Sequence, residues 1–140
     1  MSSLFLPKRI RERLIEESID PESKAEVHLT LSDKYMKEAE EYLNKGDYVQ
    51  ASEKAWGAAS QMVKAVAAKK GKDLKSHSEL HSFVLTLKNE VKDPELRRLW
   101  QAATSLHQNF YENWLPADFV RESIEDVKEF IKRIKKSCGK

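Results

Sequence analysis

Residues 46–71, GDYVQASEKAWGAASQMVKAVAAKKG, are the stretch that most constrains what this chain can fold into. Gly46 ends one helix, Asp47 can cap the next, and Gly71 follows its lysine-rich end. Gly57 in its interior costs about 1 kcal/mol relative to alanine, which indicates a close contact with another helix. Its small and apolar residues recur on one broad face: Ala51, Ala55, Ala58, Ala59, Met62, Val63 and Val66. A helix of this kind is expected at the centre of a bundle.

The rest of the chain also has the spacing of amphipathic helices. A short helix is expected from Pro7 to the Asp20-Pro21 pair, and a longer one from about residue 22 to residue 44. Ser76-His77-Ser78-Glu79 has the pattern of a capping box, and Asp93-Pro94-Glu95 begins another helix. The last helix follows Leu115-Pro116 and ends near Lys136.

No segment alternates with period two over the length of a strand, so the chain is expected to be all-α. Short connections favour an antiparallel up-and-down helical bundle of five to six helices. The expected division is an N-terminal helix or arm over 1–20, the bundle over 21–137 and a tail over 138–140. The alternative is a tetratricopeptide-type pair around AEEYLNKGDYVQASEKAWGAA, but such pairs need stacked copies and no similar segment recurs.

Composition narrows the possible functions. Lys and Arg number 25 and Asp and Glu 23, so a net charge of +2 gives no general attraction to nucleic acid or membrane. The lone Cys138 excludes an internal disulfide and a thiolate metal site. No apolar run is long enough to span a membrane, and the N-terminus is too short for a signal peptide, so we expect a cytoplasmic protein. A glycine-rich phosphate loop, a GxSxG motif and an acidic metal cluster are all missing from the sequence.

Polar and aromatic residues cluster in LWQAATSLHQNFYENW. Trp100, Thr104, His107 and Tyr111 share a narrow sector, which we place beside the apolar stripe of Leu96, Leu99, Ala103, Leu106 and Phe110. A half-buried histidine there can titrate near neutrality. His107 is therefore a candidate acid, base or ligand contact, with Tyr111 as its hydrogen-bond partner and Trp100 as a stacking surface. Alternatively, His107 and Tyr111 are boundary residues whose polar atoms a neighbouring helix satisfies.

Two weaker signals are a histidine pair and two basic clusters. His77 and His81 have i, i+4 spacing, which can bind one metal ion, but two histidines alone do not close a site. Lysines 64, 69, 70, 72 and 75, and the basic residues 132, 133, 135 and 136, can contact phosphates. Both clusters also lie at helix C-termini, where cations complement the helix dipole. We expect no metal and no cofactor.

The combination of GDYVQASEKAWGAASQMVKAVA, SHSEL and LHQNFYE resembles the archaeal PaREP family of small helical proteins, which looks like a branch of the HEPN superfamily. The resemblance covers roughly residues 30 to 135. It implies an antiparallel bundle that dimerises, and either a metal-independent ribonuclease or a partner of nucleotidyltransferases.

The ribonucleases of that superfamily have an arginine shortly before a histidine. If His107 is that histidine, the arginine is replaced here by Trp100, Gln101 or Ala102. Arg98 is about 180° around the helix, and Arg97 is about 15 Å along its axis, so Arg97 could act only across a dimer.

Three functions follow from these observations. The first is a non-catalytic, homodimeric binding or adaptor module for RNA, a nucleotide or a nucleotidyltransferase-like partner, with Trp100, Thr104, His107, Tyr111 and Arg97 as contacts. The second is a diverged metal-independent ribonuclease that uses His107 with an arginine from across the dimer. The third is a purely structural interaction module. The aromatic surface of Trp100, Tyr111 and Trp114 predicts that the dimer interface includes this helix.

Overall fold

The computed structural model describes residues 20–138, and over this range the chain is an all-α bundle of five helices. The short helix expected from Pro7 lies outside the described residues. The helices are α1 (Pro21–Asn44), α2 (Tyr48–Lys69), α3 (His77–Val91), α4 (Glu95–Glu112) and α5 (Ala117–Cys138). None of them is long and apolar enough to cross a membrane.

The second helix is the centre of the bundle, as its composition predicted. It packs against each of the other four helices, and the seven small or apolar residues of its predicted face are all buried. The close approach expected at Gly57 involves α1, because a Cβ atom added there would lie 3.1 Å from Cδ2 of Tyr35. Small side chains on α2 therefore let its neighbours come near enough to bury one shared core.

Side chains at the predicted caps hold the helix N-termini. Oδ1 of Asp47 accepts a hydrogen bond from the backbone N of Gln50 (3.1 Å), and Oγ of Ser76 accepts one from Glu79 (3.1 Å). The carboxylate of Glu79 returns to the backbone N of Lys75 (2.9 Å), one residue earlier than a capping box requires. The helix starts predicted from local sequence at Asp47 and Ser76 are thus confirmed.

Trp100 is part of the core, and the prediction that it lies beside the core was wrong. Its side chain is 4% exposed and its ring packs against Trp56 and Phe130, with centroids at 5.1 and 5.5 Å. Leu99 and Phe110, which were expected in the buried stripe, are only half-buried. The buried face of α4 is rotated from the predicted stripe towards Trp100, because covering the large indole removes more apolar surface from water than covering Leu99 does.

A buried amide ties α4 to α2. Asn109 is 1% exposed, and its Nδ2 donates to Oγ of Ser52 (3.1 Å), which in turn donates to the carbonyl oxygen of Tyr48 (2.7 Å). Its Oδ1 accepts from the backbone N atoms of Trp114 (2.9 Å) and Leu115 (2.8 Å), just beyond the end of α4. One side chain therefore sets the register between two helices and satisfies the backbone of the turn that follows.

Candidate functional site

Four ring side chains from three helices meet on one side of α2. The imidazole of His107 on α4 stacks on the indole of Trp56, with ring centroids 4.7 Å apart and planes at 24°. The ring of His77, at the start of α3, contacts both of them edge to face, with centroids 5.0 Å from His107 and 5.4 Å from Trp56. Tyr111, one turn after His107, adds a fourth ring at 5.3 Å. We call His107, His77, Trp56 and Tyr111, together with Glu53, the histidine cluster.

Glu53 fixes the orientation and tautomer of His107. Nδ1 of the imidazole lies 2.9 Å from Oε1 of Glu53, and a carboxylate can only accept, so Nδ1 carries the proton. Nε2 takes no part in this bond and can form a hydrogen bond with a ligand. The two side chains are 20% and 30% exposed, so a ligand can reach them. This pairing of a histidine with a carboxylate is one that proton transfer and anion binding both use.

The pKa of His77 is lowered from its usual value of 6.5. Partial burial disfavours the imidazolium most, and the neighbouring rings of His107 and His81 and the ammonium of Lys64 act in the same direction. Glu53 opposes them, with a smaller effect. His77 is therefore a neutral imidazole at neutral pH, beside a second imidazole that a carboxylate orients.

His81 supports the cluster from behind. Nε1 of Trp100 donates to Nδ1 of His81 (2.9 Å), so this ring has its proton on Nε2. The bond gives the buried indole its hydrogen-bond partner and joins α4 to α3. Trp100 thus positions other residues, and it is not the stacking surface that was predicted.

The other residues predicted to contact a ligand differ in their exposure and in their hydrogen bonds. Tyr111 is 70% exposed and touches the His107 ring, so it is open to a ligand. Thr104 is half-buried and its hydroxyl donates to the carbonyl oxygen of Gln101, on its own helix (2.9 Å). Arg97 is exposed and donates to the side chain of Gln101. The sequence therefore identified His107 and Tyr111 as neighbours, but Tyr111 makes a ring contact with His107 and the hydrogen-bond partner of Nδ1 is Glu53.

The residues that sequence reasoning missed are Glu53 and Trp56. Both lie in EKAWGAA and meet His107 from LHQNFYE, while His77 comes from SHSEL. The three segments that carried the family resemblance thus converge in space. The joint occurrence of these segments was the only signal in the sequence that Glu53 and His107 meet, because the two residues are 54 positions apart.

The i, i+4 histidine pair is drawn into other contacts. Nδ1 of His81 is engaged by Trp100, and across residues 20–138 no three His, Cys, Asp or Glu side chains are arranged to hold a metal ion.

The basic clusters are partly neutralised. Arg133 binds both Asp93 and Glu129, Lys135 pairs with Asp33, and Lys70 pairs with Glu90. Three of the nine predicted basic residues are thus paired with carboxylates of the bundle.

A cavity of about 260 Å³ lies away from the histidine cluster, between α1, α2 and α5. Its walls are apolar and include Leu29, Met62 and Ile134, and Cys138 lines one side. Burial raises the pKa of the Cys138 thiol, only partly offset by Lys70 and Lys69. The thiol is thus protonated at neutral pH and is a poor nucleophile.

The fold and the cluster define a class: a small all-α bundle with a histidine–carboxylate pair between its central helices. The chain belongs to the archaeal PaREP1/PaREP8 family, whose sequence profile matches residues 27–131. This confirms the family predicted from the three segments. No curated protein matches the chain.

Among solved structures, the chain is similar to a protein from Sulfolobus solfataricus determined by crystallography. The two are 28% identical, with a TM-score of 0.68 over 76% of this chain and 95% of that one.

The lowered pKa of His77 predicts how stability depends on pH. The unfolded chain has the usual histidine pKa of 6.5, so below that value it binds a proton more readily than the folded protein does. The unprotonated His77 ring therefore contributes to the free energy of unfolding, fully above pH 6.5 and progressively less as the pH falls below 6.5. In thermal unfolding between about pH 7.5 and about pH 5.5, we expect His77→Asn to lose less stability than the wild type. Ser78→Ala, an exposed neighbour, is the control, and an unchanged pH dependence in His77→Asn would contradict the assignment.

Proposed function

We propose that the protein is a cytoplasmic, HEPN-like binding module that forms a homodimer and binds single-stranded RNA or a nucleotide at the histidine cluster without cleaving it. The observation that carries the proposal is the His107 imidazole, held between the carboxylate of Glu53 and the face of Trp56. Fixing one side chain from two directions lowers the entropy lost on binding a ligand.

The surroundings of His107 favour a ligand with both an aromatic and an anionic part. Tyr111 offers an exposed ring on which a base can stack. The ring of His77 adds a hydrogen-bond donor. Lys64 adds positive charge, which acts on His77. Nucleotides and single-stranded RNA combine these two parts.

Several features argue against cleavage. The rings of His77 and His107 are in direct contact, with centroids 5.0 Å apart, so no phosphoryl group fits between them. The nearest arginines along α4 are engaged elsewhere, Arg97 with Gln101 and Arg98 with Glu95. A cation placed on the developing charge is usually worth about a hundred- to a thousandfold in rate.

The second candidate is a metal-independent ribonuclease. The observation in its favour is the pair of imidazoles, because His77, with its lowered pKa, can accept a proton while His107 serves as the other acid–base group. Lys64, or Arg97 from a partner subunit, would have to supply the missing cation.

Binding and cleavage can be tested together with a labelled single-stranded RNA. We expect the RNA to stay intact in the presence of chelator and to bind with an affinity that His107→Ala lowers about tenfold, by removing a hydrogen bond worth about 1–1.5 kcal/mol. Gln108→Ala, an exposed neighbour of His107, should bind like the wild type. Fluorescence anisotropy and gel analysis of the same samples report both quantities.

The outcomes separate the candidates. Cleavage that persists in chelator and disappears in His107→Ala would establish the ribonuclease. If neither RNA nor nucleotides bind, the proposal fails and the structural interaction module remains.

The dimer is proposed from exposed rings where α4 meets α5. Tyr111, Trp114 and Phe119 are 70%, 58% and 52% exposed, and Trp100, once counted with them, is buried. A second copy that covers Trp114 and Phe119, and leaves Tyr111 open to a base, would lie beside the histidine cluster and could bring Arg97 towards it.

Light scattering is expected to give twice the 16.2 kDa chain mass at micromolar concentration. Phe119→Asp should yield monomers, because a charge cannot be buried unpaired in an apolar interface. Leu85→Asp, at an exposed apolar residue on α3, should stay dimeric. A monomeric wild type would contradict the dimer.

A further inference from the structure

The side of α2 that faces the start of α3 has polar side chains that the described contacts do not explain. Trp56, Ser60 and Lys64 are spaced by four residues and so lie along one face of the helix. Both ends of this row are near His77: the Trp56 ring contacts it, and the charge of Lys64 acts on it. Ser60 lies between them on the same face of α2.

Ser60 is the unusual member of this row. Its side chain is 6% exposed, and its hydroxyl has no hydrogen-bond partner in the part of the chain that the structure describes. Two other buried serines are satisfied: Ser52 donates to the carbonyl oxygen of Tyr48 (2.7 Å) and Ser32 to that of Ala58 (2.8 Å). A buried hydroxyl without a partner can donate to a ligand or to a water.

The first turn of α3 is suited to an anion. Ser76 satisfies the backbone N of Glu79, whereas the helix geometry leaves the N–H groups of His77 and Ser78 without acceptors inside the helix. These N–H groups lie at the positive end of the helix dipole, where phosphate binds readily. The His77 side chain is exposed at this point, so a ligand can reach it.

Two carboxylates near this turn already accept hydrogen bonds. Glu53 accepts from His107, and Glu79 accepts from the backbone N of Lys75. Lys64 thus adds positive charge on α2, opposite the α3 N-terminus.

We propose a phosphate-binding subsite formed by the Ser60 hydroxyl, the Lys64 ammonium, the His77 imidazole and the N-terminal N–H groups of α3. It rests on the proposed function and deepens it, because it assigns the phosphate of the nucleotide or RNA to this turn and leaves the base to Tyr111. The ligand class is a phosphate mono- or diester, and the shared phosphate group can be tested alone.

The first experiment adds inorganic phosphate to the protein. Binding is monitored by NMR through the ring signals of isotopically labelled histidines. We expect phosphate to shift the His77 signals with a saturable dependence. Ser60→Ala and Lys64→Gln should each weaken this binding about three- to tenfold, since each removes one donor. Ser123→Ala, at a serine on α5 that is also 6% exposed, and Lys37→Gln, at an exposed lysine on α1, are the matched controls.

A pH series with sulfate separates the role of His77 from the titration of phosphate itself. The groups around His77 are Glu53, Lys64, His81, Glu79 and His107. Protonation of His77 adds a positive charge to the subsite, so sulfate should bind more tightly as the pH falls below 6.5. His77→Asn should remove most of this dependence, while Ser123→Ala keeps it.

Phosphate that leaves the His77 signals unchanged, or binds equally well to Ser60→Ala, Lys64→Gln and the controls, would overturn the subsite. Failure of the subsite and failure of the proposed function give different results. RNA binding that depends on His107 but is unaffected by Ser60→Ala and Lys64→Gln would reject only the subsite. Phosphate binding at His77 without any RNA or nucleotide binding would reject only the proposed function.

Discussion

The arrangement of the bundle around its candidate site depends on the buried amide of Asn109. Its hydrogen bond to Ser52 prevents α4 from sliding along α2, and its two bonds to the following turn end α4 at a defined point. Ser52 is adjacent to Glu53, and Asn109 is two residues after His107. The same register that satisfies the amide therefore places the imidazole opposite the carboxylate. A buried polar group that is fully satisfied specifies one arrangement, whereas apolar contacts alone allow several.

The predictions that succeeded were those governed by local chemistry. Asp47 and Ser76 cap their helices because a short oxygen-bearing side chain satisfies free N–H groups within three residues. Trp100 was misplaced because helical spacing gives the angles between residues on one helix but not which angle faces the core. The partners of His107 were not predictable, since Glu53 is joined to it only by tertiary packing.

Part of the charge in this protein is used within the bundle. Arg133 joins α5 to the start of α4 through Asp93, and Lys135 reaches Asp33 on α1. These pairs explain why a basic sequence segment need not be a nucleic-acid surface. The charged groups around the histidine cluster are arranged differently. Glu53 is paired with His107, while Lys64 and three histidines lie near one another. The cluster is therefore the place where we propose that an anionic ligand binds.

The central claim is that residues from three separate segments form one ligand site at the histidine cluster. The most direct measurement is an NMR titration with single-stranded RNA that follows the indole N–H signals of the three tryptophans and the histidine ring signals. Trp56 lies in the cluster, Trp100 lies behind it, and Trp114 is exposed beyond the end of α4. We expect the largest shifts at Trp56, His77 and His107. Shifts confined to Trp114, with Trp56 and His107 unchanged, would contradict it.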